Sequence, residues 1–164
     1  MEKAEQLPDS AARVAQLLDA IGHDKPVVML PSTGKSSAEA AQELGCHVAE
    51  IAKSIVFRRL HDDAPVMVIA SGADRIDESK VAALVGPIGK ADARFVKEKI
   101  GYAIGGVCPI GHVGQTVMLI DGKLFGFESV WAAAGHPHAV FNLTPAQLQA
   151  MTGAPTADVS QAPA

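Results

Sequence analysis

The stretch IAKSIVFRRLHDDAPVMVIA, residues 51–70, contains the pattern that decides the fold. It begins with a candidate helical turn at Ile51 and continues as a strand over residues 54–58, because β-branched and aromatic side chains favour extended backbone. The polar residues that follow indicate a turn, and residues 66–70 form a second apolar run of strand length. We therefore predict a β-hairpin that carries Lys53 at the start of its first strand.

Helices and further strands alternate on both sides of this hairpin. Asp121-Gly122, between apolar runs at 115–120 and 123–127, predicts a second hairpin, because this dipeptide tolerates the positive φ of a tight turn. The other predicted elements are helices that begin at Ser10, Ser36, Asp77, about Ala91 and Thr144 and end at Gly22, Gly45, Gly86, Gly101 and Gly153, and strands at 27–30 and 139–143. Because hairpins and helices are interspersed, we predict an α/β chain of the α+β type, with a mixed, barrel-like sheet flanked by helices.

The chain has 164 residues, of which 48% are hydrophobic and 20% charged, as is typical of one folded domain. We assign residues 1–153 to that domain and expect the Ala-, Pro- and Thr-rich residues 154–164 to be a disordered tail. The apolar runs are far shorter than the about 20 residues that cross a bilayer, and the N-terminus lacks a signal-peptide core. With only Cys46 and Cys108 as cysteines, we predict a cytoplasmic protein without a disulfide scaffold or a membrane partner.

The charge is distributed unevenly. A net charge of −4 argues against a protein that coats nucleic acid by bulk electrostatics, so no DNA partner is expected. Residues 51–100 nevertheless carry nine Lys and Arg against seven Asp and Glu. They are either a solvated surface of mixed sign or a local basic face made of Arg58, Arg59, Lys80, Lys90, Arg94, Lys97 and Lys99.

Two familiar kinds of site do not fit the sequence. Gly34-Lys35-Ser36 resembles the end of a phosphate-binding loop, but that motif needs a glycine where Met29 stands. Zinc needs three or four ligands, and neither a Cys-x-x-Cys pair nor a His-Glu-x-x-His helix is present. We therefore predict no metal at the available thiols and imidazoles, which are Cys46, His47, Cys108, His112, His136 and His138.

Two other features point to anion binding. The segment GGVCPIG, residues 105–111, is called the glycine loop below; its glycines let a ligand approach the backbone, so that several N–H groups can face one oxygen. Lys53 starts a buried strand, and its ammonium must reach either water or an anion. Cys108 and His112 could instead form a nucleophile and its base, although Cys108 is equally a small residue that fits a tight loop.

These features together resemble the YbaK/ProX family, trans-acting aminoacyl-tRNA deacylases related to the editing insertion domain of bacterial prolyl-tRNA synthetases. The resemblance covers about residues 10–153. It is carried by the lysine at a strand start, by the Gly-x-x-x-Pro pattern at 105–109, and by Gly135-His136-Pro137 downstream. It implies a mixed, barrel-like sheet, an activity that removes wrong amino acids from tRNA, often proline tRNA, and no cofactor.

The resemblance also implies roles for individual residues. Lys53 would hold the phosphate near the terminal adenosine, and Ser54 would contact substrate. The loop from Gly105 to Gly111 would cradle the aminoacyl carbonyl and the ribose end, with Gly105 and Gly106 as its catalytic residues, and His136 would line the amino-acid pocket. The remaining substrate contacts of the loop would come from Cys108, Pro109 and Gly111. Cys108 departs from the family pattern, since many relatives carry serine or another small residue there.

The chemistry implied by the resemblance needs no catalytic triad. An aminoacyl ester is already activated, and its vicinal 2′-OH can position a water, so the protein must mainly orient the ester and stabilise the oxyanion. The expected partners are the acceptor end of an aminoacyl-tRNA and, as a candidate, prolyl-tRNA synthetase. The alternative is a module that binds a tRNA end or a synthetase without turnover.

Overall fold

A computed structural model describes residues 7–31 and 36–162 of the chain. Its helices are α1 (Asp9–Ala20), α2 (Ser37–Leu44), α3 (Glu78–Val85), α4 (Ala93–Lys99) and α5 (Pro145–Thr152). Its strands are β1 (Val27–Met29), β2 (Ile51–Arg59), β3 (Pro65–Ser71), β4 (Ile88–Lys90), β5 (Val117–Asp121), β6 (Val130–Ala133), β7 (Ala139–Leu143) and β8 (Thr156–Ala157). Within the described residues, no helix is both long enough and apolar enough to cross a membrane.

The strands form one eight-stranded mixed sheet in the order β1-β7-β6-β2-β3-β5-β8, with β4 paired to β2. The predicted hairpin is confirmed, because β2 and β3 pair antiparallel from Ala52 opposite Ser71 to Arg58 opposite Pro65. The strand begins at Ile51 itself, since the helical turn lies just before it at Val48–Glu50. Parallel pairs join β2 to β6, β3 to β5 and β5 to β8. The predicted α/β class with a mixed sheet is therefore confirmed.

The edge of β2 opposite β3 is only partly paired. Strand β6 runs beside it at Ile51 and Ala52, and β4 pairs with it from Phe57 to Arg59. Residues 53–56 lie between these two partners, and we call this part of the edge the β2 gap. The residues predicted to bind substrate on β2, Lys53 and Ser54, are in it.

The two faces of the sheet pack against different helices. One face, with Ala52 and Ile69, belongs to the largest apolar cluster, which includes side chains from α1, α4 and α5. The opposite face packs against α3 around Phe57 and Val81, and against α2 around Ile51. Because side chains alternate along a strand, neighbouring residues of β2 face different layers.

The predicted helix boundaries follow from their caps. Side chains of Ser36, Asp77 and Thr144 accept backbone N–H groups of the first turn, as expected for these residue types. Ser10 is not a cap, since α1 already begins at Asp9 after Pro8. Gly34 and Lys35, from the rejected phosphate-loop hypothesis, lie outside the described residues.

The second predicted hairpin, at Asp121-Gly122, is wrong. A 3-10 helix over Gly122–Gly126 follows β5, and the buried side chain of Leu124 packs into the core. The Asp121 carboxylate accepts the N–H of Lys123 at 2.8 Å, which caps this helix in place of a turn. Tertiary packing of an apolar residue therefore overrides the local turn preference of Asp-Gly.

The expectation of a disordered tail at 154–164 is also wrong for the residues that the structure describes. Strand β8 pairs with β5, Ile76 bridges to Ser160, and Val159 is fully buried. Asp121 accepts the N–H of Val159 at 3.3 Å. A buried valine and a paired strand give this segment enough apolar contact to order it, despite its low-hydrophobicity composition.

Candidate functional site

The glycine loop packs directly against the turn between β6 and β7. A Cβ atom added to Gly106 would lie 2.6 Å from the backbone carbonyl carbon of His136, so only glycine fits there. Gly105, with φ +98°, approaches Pro137, since an added Cβ would lie 3.7 Å from that ring. The structure therefore brings together four of the residues singled out in the sequence: Gly105, Gly106, His136 and Pro137.

Several backbone N–H groups of the glycine loop have no protein acceptor. Among the described residues, no acceptor faces the amides of Val107, Cys108 or Gly111, although Val107 and Cys108 are buried, whereas the Ile110 amide donates to the Cys108 sulfur. A buried amide without a partner costs about 1–3 kcal/mol, so such groups are rare unless a ligand or water meets them. These amides are suited to an oxygen that carries negative charge.

Three carbonyl groups of the same loop, in contrast, accept hydrogen bonds from side chains. His112 Nε2 lies 2.8 Å from the Cys108 carbonyl oxygen, and the Tyr102 hydroxyl donates to Ile110 O at 2.7 Å. The Arg13 guanidinium donates to Gly111 O at 2.7 Å. No motif in the sequence points to Arg13 or Tyr102 as functional residues. Tyr102 could have been found from the sequence as a large aromatic residue with a hydroxyl group shortly before a glycine-rich loop.

Cys108 is buried beneath the loop. Burial raises the pKa of its thiol to about 12, so it is protonated at neutral pH. The imidazole of His112 bonds to the carbonyl of Cys108 and to the Thr116 hydroxyl, at 2.8 Å each, and not to the sulfur. The geometry of a thiolate–imidazole pair is therefore missing, and Cys108 is a small side chain in a tight loop.

Lys53 and Ser54 project to opposite faces of β2. Ser54 shares the face of Ala52 and Val56, which belongs to the same apolar cluster as Val107 and Cys108. Among the described residues, the buried Ser54 hydroxyl has no hydrogen-bond partner. It is thus on the glycine-loop side of the sheet.

Lys53 lies on the other face, half-buried between Ile51 and Ile55. Its ammonium donates to the backbone carbonyl of Asp74 and not to the glycine loop. Burial lowers the pKa of this ammonium. Lys53 and the glycine loop therefore lie on opposite faces of the sheet, and no hydrogen bond joins them among the described residues.

His136 is held by the turn that carries it. Its Nδ1 accepts the backbone N–H of His138 at 3.1 Å, so the proton of the neutral ring is on Nε2. Gly135, with φ +92°, allows the turn to close against α1 and Tyr102. The partly exposed ring of His136 thus presents a donor beside Gly106.

A cavity of about 530 Å³ lies at the other end of the glycine loop. Ile110 and Gly111 form one wall of this cavity, and α1 and α5 form the others. Neither Lys53 nor His136 lines it. Within the described ranges, no group of three or more His, Cys, Asp or Glu is arranged to hold a metal ion.

Comparisons with known proteins identify the family of the chain. The profile of the aminoacyl-tRNA editing domain matches residues 31–151. An uncharacterized protein, YwhH of Bacillus subtilis, is 29% identical over 126 residues, which are 76% of this chain and 80% of that protein. The proline–tRNA ligase of Limosilactobacillus fermentum is 33% identical over 93 residues, which are 54% of this chain but only 16% of the ligase.

A solved structure gives the same picture. A crystal structure described as that of a candidate trans-editing enzyme for prolyl-tRNA synthetase superimposes with a TM-score of 0.89 at 40% identity. The match covers 96% of this chain and 100% of the other. The chain therefore belongs to the aminoacyl-tRNA editing domain family, as its resemblance to the YbaK/ProX proteins predicts.

Proposed function

We propose that this protein is a trans-acting deacylase that hydrolyses the ester between a wrong amino acid and the terminal ribose of a tRNA. The observation that carries the proposal is the pair of buried amides at Val107 and Cys108 that have no acceptor within residues 7–31 and 36–162, beside the tight contact between Gly106 and His136. Family membership and the names of two relatives support an editing role. We place the activity in the cytoplasm, where charged tRNA is used.

In the proposed reaction, the carbonyl oxygen of the ester accepts hydrogen bonds from the backbone N–H groups of Val107 and Cys108. A water, positioned by the vicinal 2′-OH, attacks the carbonyl carbon, and the amides stabilise the negative charge that develops on the oxygen. The bond between the carbonyl carbon and the ribose oxygen then breaks. The ribose oxygen takes up a proton, so the products are a free amino acid and a tRNA with an intact 3′ end.

The proposed substrate is proline tRNA that carries a small non-cognate amino acid. The names of the ligase and of the trans-editing relative support proline tRNA. The Nε2–H of His136 and the Ser54 hydroxyl, which has no partner in the described part of the chain, are polar groups available to an amino-acid side chain or its ammonium. Contacts from Pro109 and Gly111 would complete the substrate pocket.

Lys53 is proposed to bind the phosphate next to the terminal adenosine. Its ammonium has three donors, and one of them meets the Asp74 carbonyl, so donors remain for an anion. Because Lys53 is on the opposite face from the loop, the acceptor end would have to pass the β2 gap. Lys53→Arg should then keep more activity than Lys53→Ala, and equal activity of Lys53→Ala and the parent would overturn this role.

The test of the proposed function is a panel of proline tRNAs charged with alanine, cysteine, serine, threonine, 2-aminobutyrate or proline. We expect rapid deacylation of at least one small non-cognate amino acid and slow deacylation of proline. A second candidate, a module that binds without turnover, is favoured because both ring nitrogens of His112 are engaged and Nδ1 of His136 already accepts the His138 N–H. Tight binding of uncharged tRNA without hydrolysis of any ester in the panel would support that candidate and contradict the deacylase.

A further inference from the structure

We infer that Arg13, Tyr102 and His112, together called the carbonyl clamp, are positioning residues that hold the glycine loop in its working geometry. This inference rests on the proposed function and adds residues that do not themselves contact the ester. Arg13 belongs to α1 and Tyr102 to the segment between α4 and the glycine loop. His112 directly follows the loop. Each binds a different backbone carbonyl of the loop: Gly111, Ile110 and Cys108 respectively.

The clamp fixes peptide groups as well as single oxygens. A peptide unit is planar, with its N–H and C=O on opposite sides, so a bond that fixes the Ile110 carbonyl also fixes the direction of the Gly111 amide. The bond from His112 restrains Cys108, whose own amide is one of the two buried donors. The bonds therefore restrain the end of the loop directly after the proposed oxyanion donors.

Arg13 and Tyr102 form one connected unit. Arg13 approaches the Tyr102 hydroxyl at 3.5 Å and lies over the ring, 5.7 Å from its centroid. Burial raises the pKa of the Tyr102 phenol, so its single proton remains available to the Ile110 carbonyl. An added Cβ at Gly111 would lie 2.7 Å from the Tyr102 hydroxyl, so the loop backbone closes directly onto this unit.

His112 has a defined protonation state in the clamp. A carbonyl oxygen only accepts, so Nε2 carries the proton that reaches Cys108, and Nδ1 accepts the Thr116 hydroxyl. Burial lowers the pKa of His112, which keeps the ring neutral. The Tyr102 and His112 rings meet edge to face, with centroids 6.2 Å apart, and so the three side chains form one contiguous cluster.

The test uses Tyr102→Phe and Arg13→Lys in the full chain, with Arg94→Lys as the control. Tyr102→Phe keeps the buried ring and removes only the hydroxyl, whereas Arg94 lies in an exposed ion pair with Glu98. On a mischarged tRNA that the parent hydrolyses, we expect kcat to fall about tenfold in Tyr102→Phe while KM changes by less than about twofold. We also expect Arg13→Lys to keep part of the activity and Arg94→Lys to keep all of it.

A second readout separates this inference from the proposed function. Amide hydrogen exchange at residues 107–111 should be faster in Tyr102→Phe than in the parent, while exchange in β3 stays the same. If the parent protein hydrolyses no mischarged tRNA, the proposed function is contradicted. The hydrogen-exchange comparison would still test whether the carbonyl clamp holds the loop. Parent-like kcat in a folded Tyr102→Phe protein, or unchanged exchange at 107–111, would overturn the clamp.

Discussion

Gly106 is the residue where the glycine loop and the His136 turn meet. The sequence predicted that this loop approaches a ligand through its glycines, and it could not predict that the backbone of His136 occupies the space next to Gly106. The period of two along β2, by contrast, was visible in the sequence, and it separates Lys53 from Ser54 onto opposite faces. The kinds of residue at the candidate site could therefore be predicted from the sequence, whereas the contacts between them depend on tertiary packing.

A methyl group at Gly106 should damage the site. In Gly106→Ala the Cβ would lie 2.6 Å from backbone, which cannot rotate away, so the loop must shift. We expect deacylation to fall at least about tenfold and the free energy of unfolding to fall by about 1–3 kcal/mol. Kinetics and urea unfolding measure the two effects. Gly126→Ala is the matched control, since an added Cβ there meets nothing within 4 Å; equal effects of both variants would contradict the contact.

Cys108 should be dispensable for chemistry. Because its pKa is raised to about 12, the thiol should resist iodoacetamide at pH 8 in the folded protein. Cys108→Ala should keep its kcat within about threefold of the parent, with a loss of stability from the cavity that it leaves. Cys46→Ala, at the other cysteine, controls for general effects of removing a thiol. Loss of activity in folded Cys108→Ala alone would revive the thiol mechanism.

His112 should make stability depend on pH. Its pKa in the folded protein is lowered by burial from the ordinary 6.5, so below 6.5 the unfolded chain binds a proton that the fold disfavours. The contribution of the neutral His112 ring to the free energy of unfolding is thus complete above pH 6.5. It is lost as the pH falls toward the lowered pKa of the folded protein. Denaturation at pH 7.5 and pH 5.5 should show a smaller loss of stability in His112→Gln than in the parent. An equal loss in both proteins would contradict the lowered pKa.

The helices and strands that are marked by local sequence signals were predicted correctly. The C-terminal strand, which depends on tertiary contacts alone, was not. The hairpin of β2 and β3 has β-branched runs on both sides of a polar turn, and α5 has both a Thr-Pro start and a Gly stop. Strand β8 has two residues, and its order depends on β5 and on the buried Val159. No pattern within 154–164 reveals such partners, so composition alone predicted disorder.

The ordered C-terminal segment should contribute to stability. Val159 packs with Val81 and Phe57 behind the sheet, and Lys80 contacts Asp158 at 3.2 Å. Removing two buried methyl groups in Val159→Ala should lower the free energy of unfolding by roughly 2 kcal/mol. Val113→Ala is the control, because Val113 is 65% exposed. Equal denaturation midpoints for both variants would show that the segment does not belong to the folded unit.

At the scale of the whole molecule, the residues of the candidate basic face divide into two groups. Arg58, Arg59 and Lys80 each pair with an aspartate, and Arg94 pairs with Glu98. Within residues 7–31 and 36–162, no ion pair involves Lys90, Lys97 or Lys99, and all three are exposed. The last two belong to α4, which precedes the segment that leads into the glycine loop.

This charge should attract the tRNA backbone. Reversing both charges in Lys97→Glu/Lys99→Glu should raise KM for mischarged tRNA about tenfold at low salt and weaken its salt dependence, because phosphate contacts release counterions. Hydrolysis of an aminoacyl-adenosine, which lacks the backbone, should not change. Lys123→Glu, on the 3-10 helix after β5, is the matched exposed control. An unchanged KM for tRNA would remove Lys97 and Lys99 from the RNA-binding surface.

The central claim is that the buried amides of the glycine loop receive the ester carbonyl. It is tested most directly by NMR titration with an adenosine whose amino acid is attached through a stable 3′-amide. We predict that the ¹H–¹⁵N signals of Val107 and Cys108 shift downfield on saturation, with smaller changes at His136. Shifts confined to the cavity between α1 and α5, with Val107 and Cys108 unmoved, would contradict the account.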